Sequence, residues 1–346
     1  MIAASPPSNQ HNRTETTAIT LPLWQQALAN AVTDPRELLK ILDLPAEWLP
    51  GALAAARVFP LRVPRGFVDR MQRGDPHDPL LRQVLPLDLE LQEFSEFSHD
   101  PVGDMASKVA PGVLHKYAGR ALLIATGACG VHCRYCFRRH FPYGEETAST
   151  GHWQAAIDAL HADPSIREVI LSGGDPLTLN DRRLHEFTAA LRDLPHVIRL
   201  RIHSRQPVVL PERVDAELLA WLAAIPLQKV LVLHVNHAQE INQPVITACR
   251  SLQQAGVTLL NQAVLLRGVN DSVIALSRLS EALFAAGVMP YYLHLLDRVQ
   301  GAAHFEVSEN HAAELMRSLL EVLPGYLVPK LVRELPGGAS KTPVPF

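Results

Sequence analysis

At 346 residues, 47% hydrophobic and 19% charged, with a formal charge of −3, the chain has material for one large domain with a smaller attachment around an ordinary folded core. The near-neutral balance leaves no electrostatic footprint for nucleic acid. No apolar run reaches the roughly 20 residues needed to cross a bilayer, and residues 1–20 lack the apolar stretch of a secretory leader.

Residues 1–20 are expected to be a flexible tail. From Leu21 to about Glu93 the pattern is helical and broken by prolines. Leu21-Pro-Leu-Trp24 leads to Leu28 and Val32. Asp34-Pro35 offers a cap with proline in the first turn, ahead of Leu38, Leu39 and Leu42. Pro60, Pro64, Pro76 and Pro79 cut the next stretch into short pieces. The chain divides accordingly into the tail at 1–20, a helical extension at 21–114, a core at 115–338 and a short C-terminal segment at 339–346. From Arg120 onward, short β-branched runs alternate with helical periodicity. Strands are predicted at 121–126, 168–172, 198–204, 230–236, 258–266 and 290–297, and helices at 153–162, 181–194, 216–225, 240–255, 272–286 and 309–323. That alternation implies βαβ units, a parallel sheet and right-handed crossovers. Six units without a nucleotide fingerprint fit an α/β fold, an incomplete (β/α)6 barrel, whose chemistry belongs at the C-terminal ends of the strands.

Only four cysteines occur, and three of them lie within eight residues, directly after the first core strand. The loop reads Thr126-Gly-Ala-Cys129-Gly-Val-His-Cys133-Arg-Tyr-Cys136-Phe-Arg-Arg-His-Phe141. Clustered, scarce cysteine points to a reducing cytoplasm and a metal rather than to a disulfide framework. Thiolates suit iron–sulfur clusters or zinc. A four-iron cluster generally takes four cysteines, so three would leave one iron open to a ligand, as a catalytic site requires. A structural zinc completed by His132 or His140 is the competing reading. Cys249 falls on the helical pattern of Ile246 and Leu252 and reads as a buried, inert residue.

The Cys-x-x-x-Cys-x-x-Cys loop resembles the signature of radical S-adenosylmethionine (SAM) enzymes. Longer segments resemble the lysine 2,3-aminomutases among them. These are Arg-Tyr-Cys-Phe-Arg-Arg-His-Phe-Pro-Tyr at 134–143, Ser-Gly-Gly-Asp-Pro-Leu at 172–177 and Leu-Arg-Ile-His-Ser-Arg at 200–205, with Leu-Leu-Asn-Gln at 259–262, Gly-Val-Asn-Asp at 268–271 and Pro-Tyr-Tyr-Leu-His at 290–294. The likeness runs from Arg120 to Lys341. It implies an incomplete (β/α)6 barrel of the radical SAM type and an isomerase that moves the α-amino group of L-lysine to the β carbon. It also implies three cofactors. Cys129, Cys133 and Cys136 would hold a [4Fe-4S] cluster. SAM would meet Tyr135, Gly173, Gly174, Asp175, Ser204, Arg205 and Gln262. Pyridoxal 5′-phosphate (PLP) would be carried by Lys341, in the run Gly337-Gly-Ala-Ser-Lys341-Thr, with Arg120 at its phosphate. Free lysine has a carboxylate at one end and an ammonium at the other; the resemblance assigns Arg138 to the first, and Asp297 and Glu334 to the second.

Tyr135, where free-lysine aminomutases carry histidine, and the Phe-Pro-Tyr after His140 favour the branch that makes (R)-β-lysine for elongation factor P. The partners implied are lysine, an external electron donor, elongation factor P and its lysyl ligase, with neither nucleic acid nor membrane, in the cytoplasm. Free-lysine enzymes continue beyond this lysine with a segment that joins subunits, so the oligomeric state stays open. One alternative is a free-lysine or related amino acid 2,3-aminomutase of metabolism. Another, of a different class, is a non-catalytic zinc module binding RNA through Arg134, Arg138 and Arg139. From residue type alone, Arg205 would be a surface ion pair, Gly173–Asp175 an ordinary strand-to-helix turn and Lys341 a solvated terminal lysine.

Overall fold

Proline spacing shapes the first third of the molecule. The computed structural model describes residues 21–147 and 153–346, so the tail expected at 1–20 lies outside the described residues. The extension folds into four short helices: α1 (Leu23–Ala29), α2 (Pro35–Ile41), α3 (Leu49–Val58) and α4 (Arg65–Val68). Helix α2 starts as its sequence dictates: Asp34 accepts a hydrogen bond from the Arg36 N–H, and Pro35 opens the first turn. Trp24, Leu38, Leu42, Phe67, Leu80 and Leu81 bury their side chains together. The same cluster takes in Val131 of the cysteine loop and Val209 and Leu210 of the core. The extension therefore shares its interior with the loop that carries the chemistry.

The rest is one sheet with helices against it. Its strands are β1 (Lys108–Ala110), β2 (Val113–Tyr117), β3 (Arg120–Thr126), β4 (Glu168–Gly173), β5 (Arg199–Ser204), β6 (Gln228–Leu233), β7 (Val257–Val264), β8 (Met289–His294), β9 (Lys330–Arg333) and β10 (Thr342–Pro343). They pair in chain order. Strands β3 to β9 run parallel, and antiparallel strands extend both edges. Among the described residues β1 and β10 do not meet, so the barrel is open. The helices of this part are α5 (Trp153–Ala162), α6 (Asp181–Leu191), α7 (Gln206–Val209), α8 (Ala216–Ala224), α9 (Gln243–Gln254), α10 (Val273–Ala285) and α11 (Glu309–Val322). Asn180, Asp215, Asn242, Ser272 and Ser308 cap α6, α8, α9, α10 and α11 with a side-chain oxygen. The core between sheet and helices buries Phe187, Trp221 and a continuous set of Leu, Ile and Val, with Cys249 among them.

All six predicted strands are present, as β3 to β8. Three of them end earlier than predicted, β7 at Val264, β8 at His294 and β6 at Leu233. Strand β6 ends at Leu233 rather than at 236, because the Val235 and Asn236 N–H groups turn to side-chain acceptors on Asn261 and Glu240. The division expected at 114/115 falls inside β2, which is paired to β3 and cannot be separated from it. Nor do residues 339–346 stand apart: β10 returns to the same sheet against β9.

Candidate active site

The C-terminal ends of the core strands open into a cavity of about 500 Å³. Every residue that the resemblance assigns to the cluster, SAM, PLP or lysine lines it. At one end lie the cysteines, and at the other the hairpin that carries Lys341.

The cysteine loop is held by the extension. The His132 N–H donates to the Arg62 carbonyl and the Arg134 N–H to that of Gln83, both at 2.9 Å. The His132 imidazole bonds the Pro60 carbonyl and stacks on Phe59. Arg134 grips Glu90 with Nε and Nη2 at 2.8 and 2.6 Å, and Arg139 adds a third bond to the same carboxylate. Arg134 and Glu90 are buried. The three arginines that an RNA-binding face would need are thus internal, which removes the reading as a basic module. His140 is occupied by the Gln300 carbonyl. The His132 ring, the other histidine a zinc site would draw on, is bonded to the Pro60 carbonyl through Nδ1. Burial pushes the thiols of Cys129 and Cys136 up, that of Cys136 to about 11, and the neighbouring cysteine adds to it in each case. Three thiolates here need cationic charge among them, which a multinuclear iron cluster supplies and the donor set suits.

Strand β4 turns under this loop. Gly173 has φ +120°, and a Cβ on Gly174 would sit 2.4 Å from the Ala128 carbonyl oxygen, so only glycine lets the turn pass. Asp175, among the residues that the resemblance assigns to SAM, lies in this turn. Its oxygens accept from the Leu177, Arg205 and Gln206 N–H groups and from the Ser204 hydroxyl. These four donors fill the carboxylate, so Asp175 serves to join the ends of β4 and β5. Arg205 is buried, not a surface residue. Its Nη1 donates to Cys133 Sγ at 2.8 Å and to the Tyr135 oxygen at 2.9 Å, and its Nη2 to Gln83 and Glu240. The Tyr135 hydroxyl also receives Asn236 Nδ2, and its ring meets Phe305 edge-on. Gln262 Nε2 lies 3.0 Å from His234 Nε2. Burial depresses His203, His234 and His294, that of His234 to about 3, so all three line the cavity as neutral rings. None of the three is given a role by the sequence, although His203 and His294 fall within the segments at 200–205 and 290–294.

The lysine end is built by a hairpin. Thr342 pairs with Arg333 across β9 and β10, which puts Lys341 opposite Glu334. Lys341 Nζ donates to Glu334 Oε2 at 2.7 Å, and both side chains are largely buried. Lys116 on β2 reaches the other Glu334 oxygen at 3.0 Å and Asp104 at 2.7 Å. The second Asp104 oxygen accepts from Arg138 Nε at 2.6 Å, and Arg138 Nη1 donates to the Ser172 hydroxyl. Burial resists charge on Glu334, but Lys341 and Lys116 outweigh it and bring the carboxyl down to about 2. Asp297, in the loop after β8, behaves oppositely. Burial and the Glu334 charge push it up to about 7, against Lys341 and Lys116. Arg120 lies over the Tyr117 ring with its Nε unpartnered, an open cationic donor that suits a phosphate. With the Lys341 amine and the Tyr291 and Tyr292 rings on the same wall, this end fits a phosphate-bearing aromatic aldehyde. Asp104 and Lys116 carried no signal in the sequence, because neither belongs to a motif.

A model of the radical SAM superfamily matches residues 123–277. A protein of Escherichia coli K12 named L-lysine 2,3-aminomutase is 52% identical over 322 residues, covering 93% of this chain and 94% of that one. One of that name from Haemophilus influenzae is 48% identical over 319 residues, covering 92% and 94%. One from Clostridium subterminale is 36% identical over 323 residues, covering 93% of this chain and 77% of its own length.

Proposed function

Because the chain belongs to the lysine 2,3-aminomutase family of radical SAM enzymes, an isomerase family that works with a [4Fe-4S] cluster and SAM, we propose that it converts L-α-lysine to (R)-β-lysine with PLP on Lys341. The observation that carries this is one cavity lined at one end by Cys129, Cys133 and Cys136 and at the other by Lys341 and Glu334. When bound, the cluster with SAM supplies a radical able to take hydrogen from an unactivated carbon, and PLP supplies the π system across which nitrogen migrates.

The chain's own residues would do the rest. Cys129, Cys133 and Cys136 would hold the cluster through their thiolates. Gly173 and Gly174 give a ligand close access to backbone, while Ser204, Arg205, Gln262 and Tyr135 line its pocket. Arg120 takes the phosphate of PLP. Arg138 receives the lysine carboxylate, and a guanidinium suits it because two N–H groups can meet two oxygens. Glu334 and Asp297 receive the distant ammonium. Glu334 is ionised throughout the physiological range, so it holds either the Lys341 ammonium or that of the substrate. The enclosed barrel end keeps water away from a reactive carbon.

The link to elongation factor P rests on the resemblance of residues 134–143, with Tyr135 and Phe-Pro-Tyr as its carriers. The product would go to a partner ligase, and an external donor would supply the electron. The test is anaerobic reconstitution, incubation with L-lysine, and chiral separation of the products. (R)-β-lysine is expected. The S form would favour a free-lysine enzyme of metabolism, and absence of any β-lysine would reject the assignment. Loss of β-lysylated elongation factor P in a deletion strain, read by intact mass, tests the pathway separately.

A further inference from the structure

Five side chains of alternating charge run along the cavity wall: Arg138, Asp104, Lys116, Glu334 and Lys341, joined at 2.6, 2.7, 3.0 and 2.7 Å. We propose that Asp104, through its bonds to Arg138 and Lys116, is a positioning residue that sets the reach between the two ends of the lysine site. This role rests on Arg138 and Glu334 being the carboxylate and ammonium ligands of lysine, and extends that assignment to a residue outside every motif.

The bonding of each member supports it. Arg138 is pinned on its Nε side by Asp104 and at Nη1 by Ser172, and Nη2 makes no hydrogen bond to any described residue. The guanidinium is therefore oriented from behind, with an edge left for an incoming carboxylate. Lys116 donates to the Val102 carbonyl and to Glu334, and its ammonium stands 2.7 Å from Asp104 as an ion pair. Held between two carboxylates and a carbonyl, it acts as a strut. Asp104 itself is fixed by the backbone, since its N–H and that of Met105 donate to the Asp100 carboxylate. Its segment also lies against the C-terminal hairpin, with Gly103 beside Pro336. A single short segment thus touches the carboxylate end, the ammonium end and the turn that carries Lys341.

The strut has a consequence for binding. Without the Asp104 charge, Arg138 loses its rear anchor. Lys116, freed on one side, bears more fully on Glu334 and competes with the substrate ammonium for it. Both effects weaken ground-state binding and leave the reacting carbons where the cofactors put them, so the defect falls on KM.

The test is a double-mutant cycle on the reconstituted enzyme, with lysine KM and kcat measured for Asp104→Asn, Arg138→Met and the pair. Loss of a charge-assisted bond at a ligand site corresponds to about tenfold in affinity. Asp104→Asn is therefore expected to raise KM by about that factor, with kcat changed less than about threefold and the cluster absorbance intact. In the Arg138→Met background the same change is expected to add clearly less than it does alone, because the share that travels through Arg138 is already lost and only the share through Lys116 remains. An unchanged KM, a fall in kcat alone, or effects that multiply in the pair would overturn the proposal. An Arg138→Met enzyme with normal lysine KM would instead overturn the reading of the clamp itself, and with it this one. Should the Asn variant fail to fold, Asp104→Glu keeps the charge and moves the guanidinium by about one methylene. A KM raised about threefold at constant kcat is expected there, and a normal KM would overturn the proposal as well.

Discussion

At the cysteine end of the cavity the loop is clamped from outside by residues remote in sequence: Phe59, Pro60, Arg62, Gln83, Glu90 and Gln300 all bond or stack on it. At the lysine end the geometry comes from a local hairpin and a line of ion pairs. The first end is shaped by close packing and by hydrogen bonds and ion pairs buried within the protein. The second is shaped by charges that a doubly charged substrate can enter and displace. The difference suits the two tasks, since a cluster must stay put while lysine comes and goes.

Substitutions that break one end and spare the other sharpen this contrast. The largest effect is expected from Cys133→Ala, which should abolish cluster binding and turnover together; anaerobic visible spectra and an activity assay check it. Lys341→Ala should abolish turnover while the cluster absorbance remains, and a protein that loses both would deny that the two ends are independent. Glu90→Ala strips two buried arginines of their counter-charge. It should cost about 3–5 kcal/mol in stability, read as a lower midpoint in chemical denaturation, with the cysteine loop loosened first.

The smallest effect is a pH dependence at the lysine end. Asp297 is raised to about 7 beside Glu334, Lys341, Lys116 and Asp104. The folded protein holds this proton where the unfolded chain, with a carboxyl near 4, has lost it. Its contribution to stability therefore declines as pH rises from about 4 to 7. Binding the substrate ammonium needs the ionised form, so lysine KM is expected to fall several-fold as pH rises through about 7, and Asp297→Asn should flatten that profile. Glu334 has the opposite sign: its stabilising effect is present above its ordinary value and is lost as pH falls toward about 2.

Much of the fold and half of the site were legible in the chain. Period-2 and period-3.6 patterning gave all six core strands and their helices, because each buries a face that the sequence must make apolar. The short spacing of Cys129, Cys133 and Cys136 announced a metal loop, since neighbours in sequence are neighbours in space. Asp175 reads differently once folded: an acid in a tight turn looks free until the strand ends it joins are seen. Lys341 read by residue type alone is a solvated terminal lysine, and only the pairing of β10 with β9 draws it into the cavity.

The amino-acid sequence by itself determined the α/β alternation, the cysteine loop and the glycine turn beneath it, all local matters of periodicity and steric allowance. Tertiary structure alone decided that Glu90 would bind two arginines of that loop, that Arg205 would reach Cys133, and that Asp104 and Lys116 would link Arg138 to Glu334. Arg138 and Asp104 are 34 residues apart and Lys116 and Glu334 are 218 apart, and charge acts over ångströms of space and carries no record of distance along a chain.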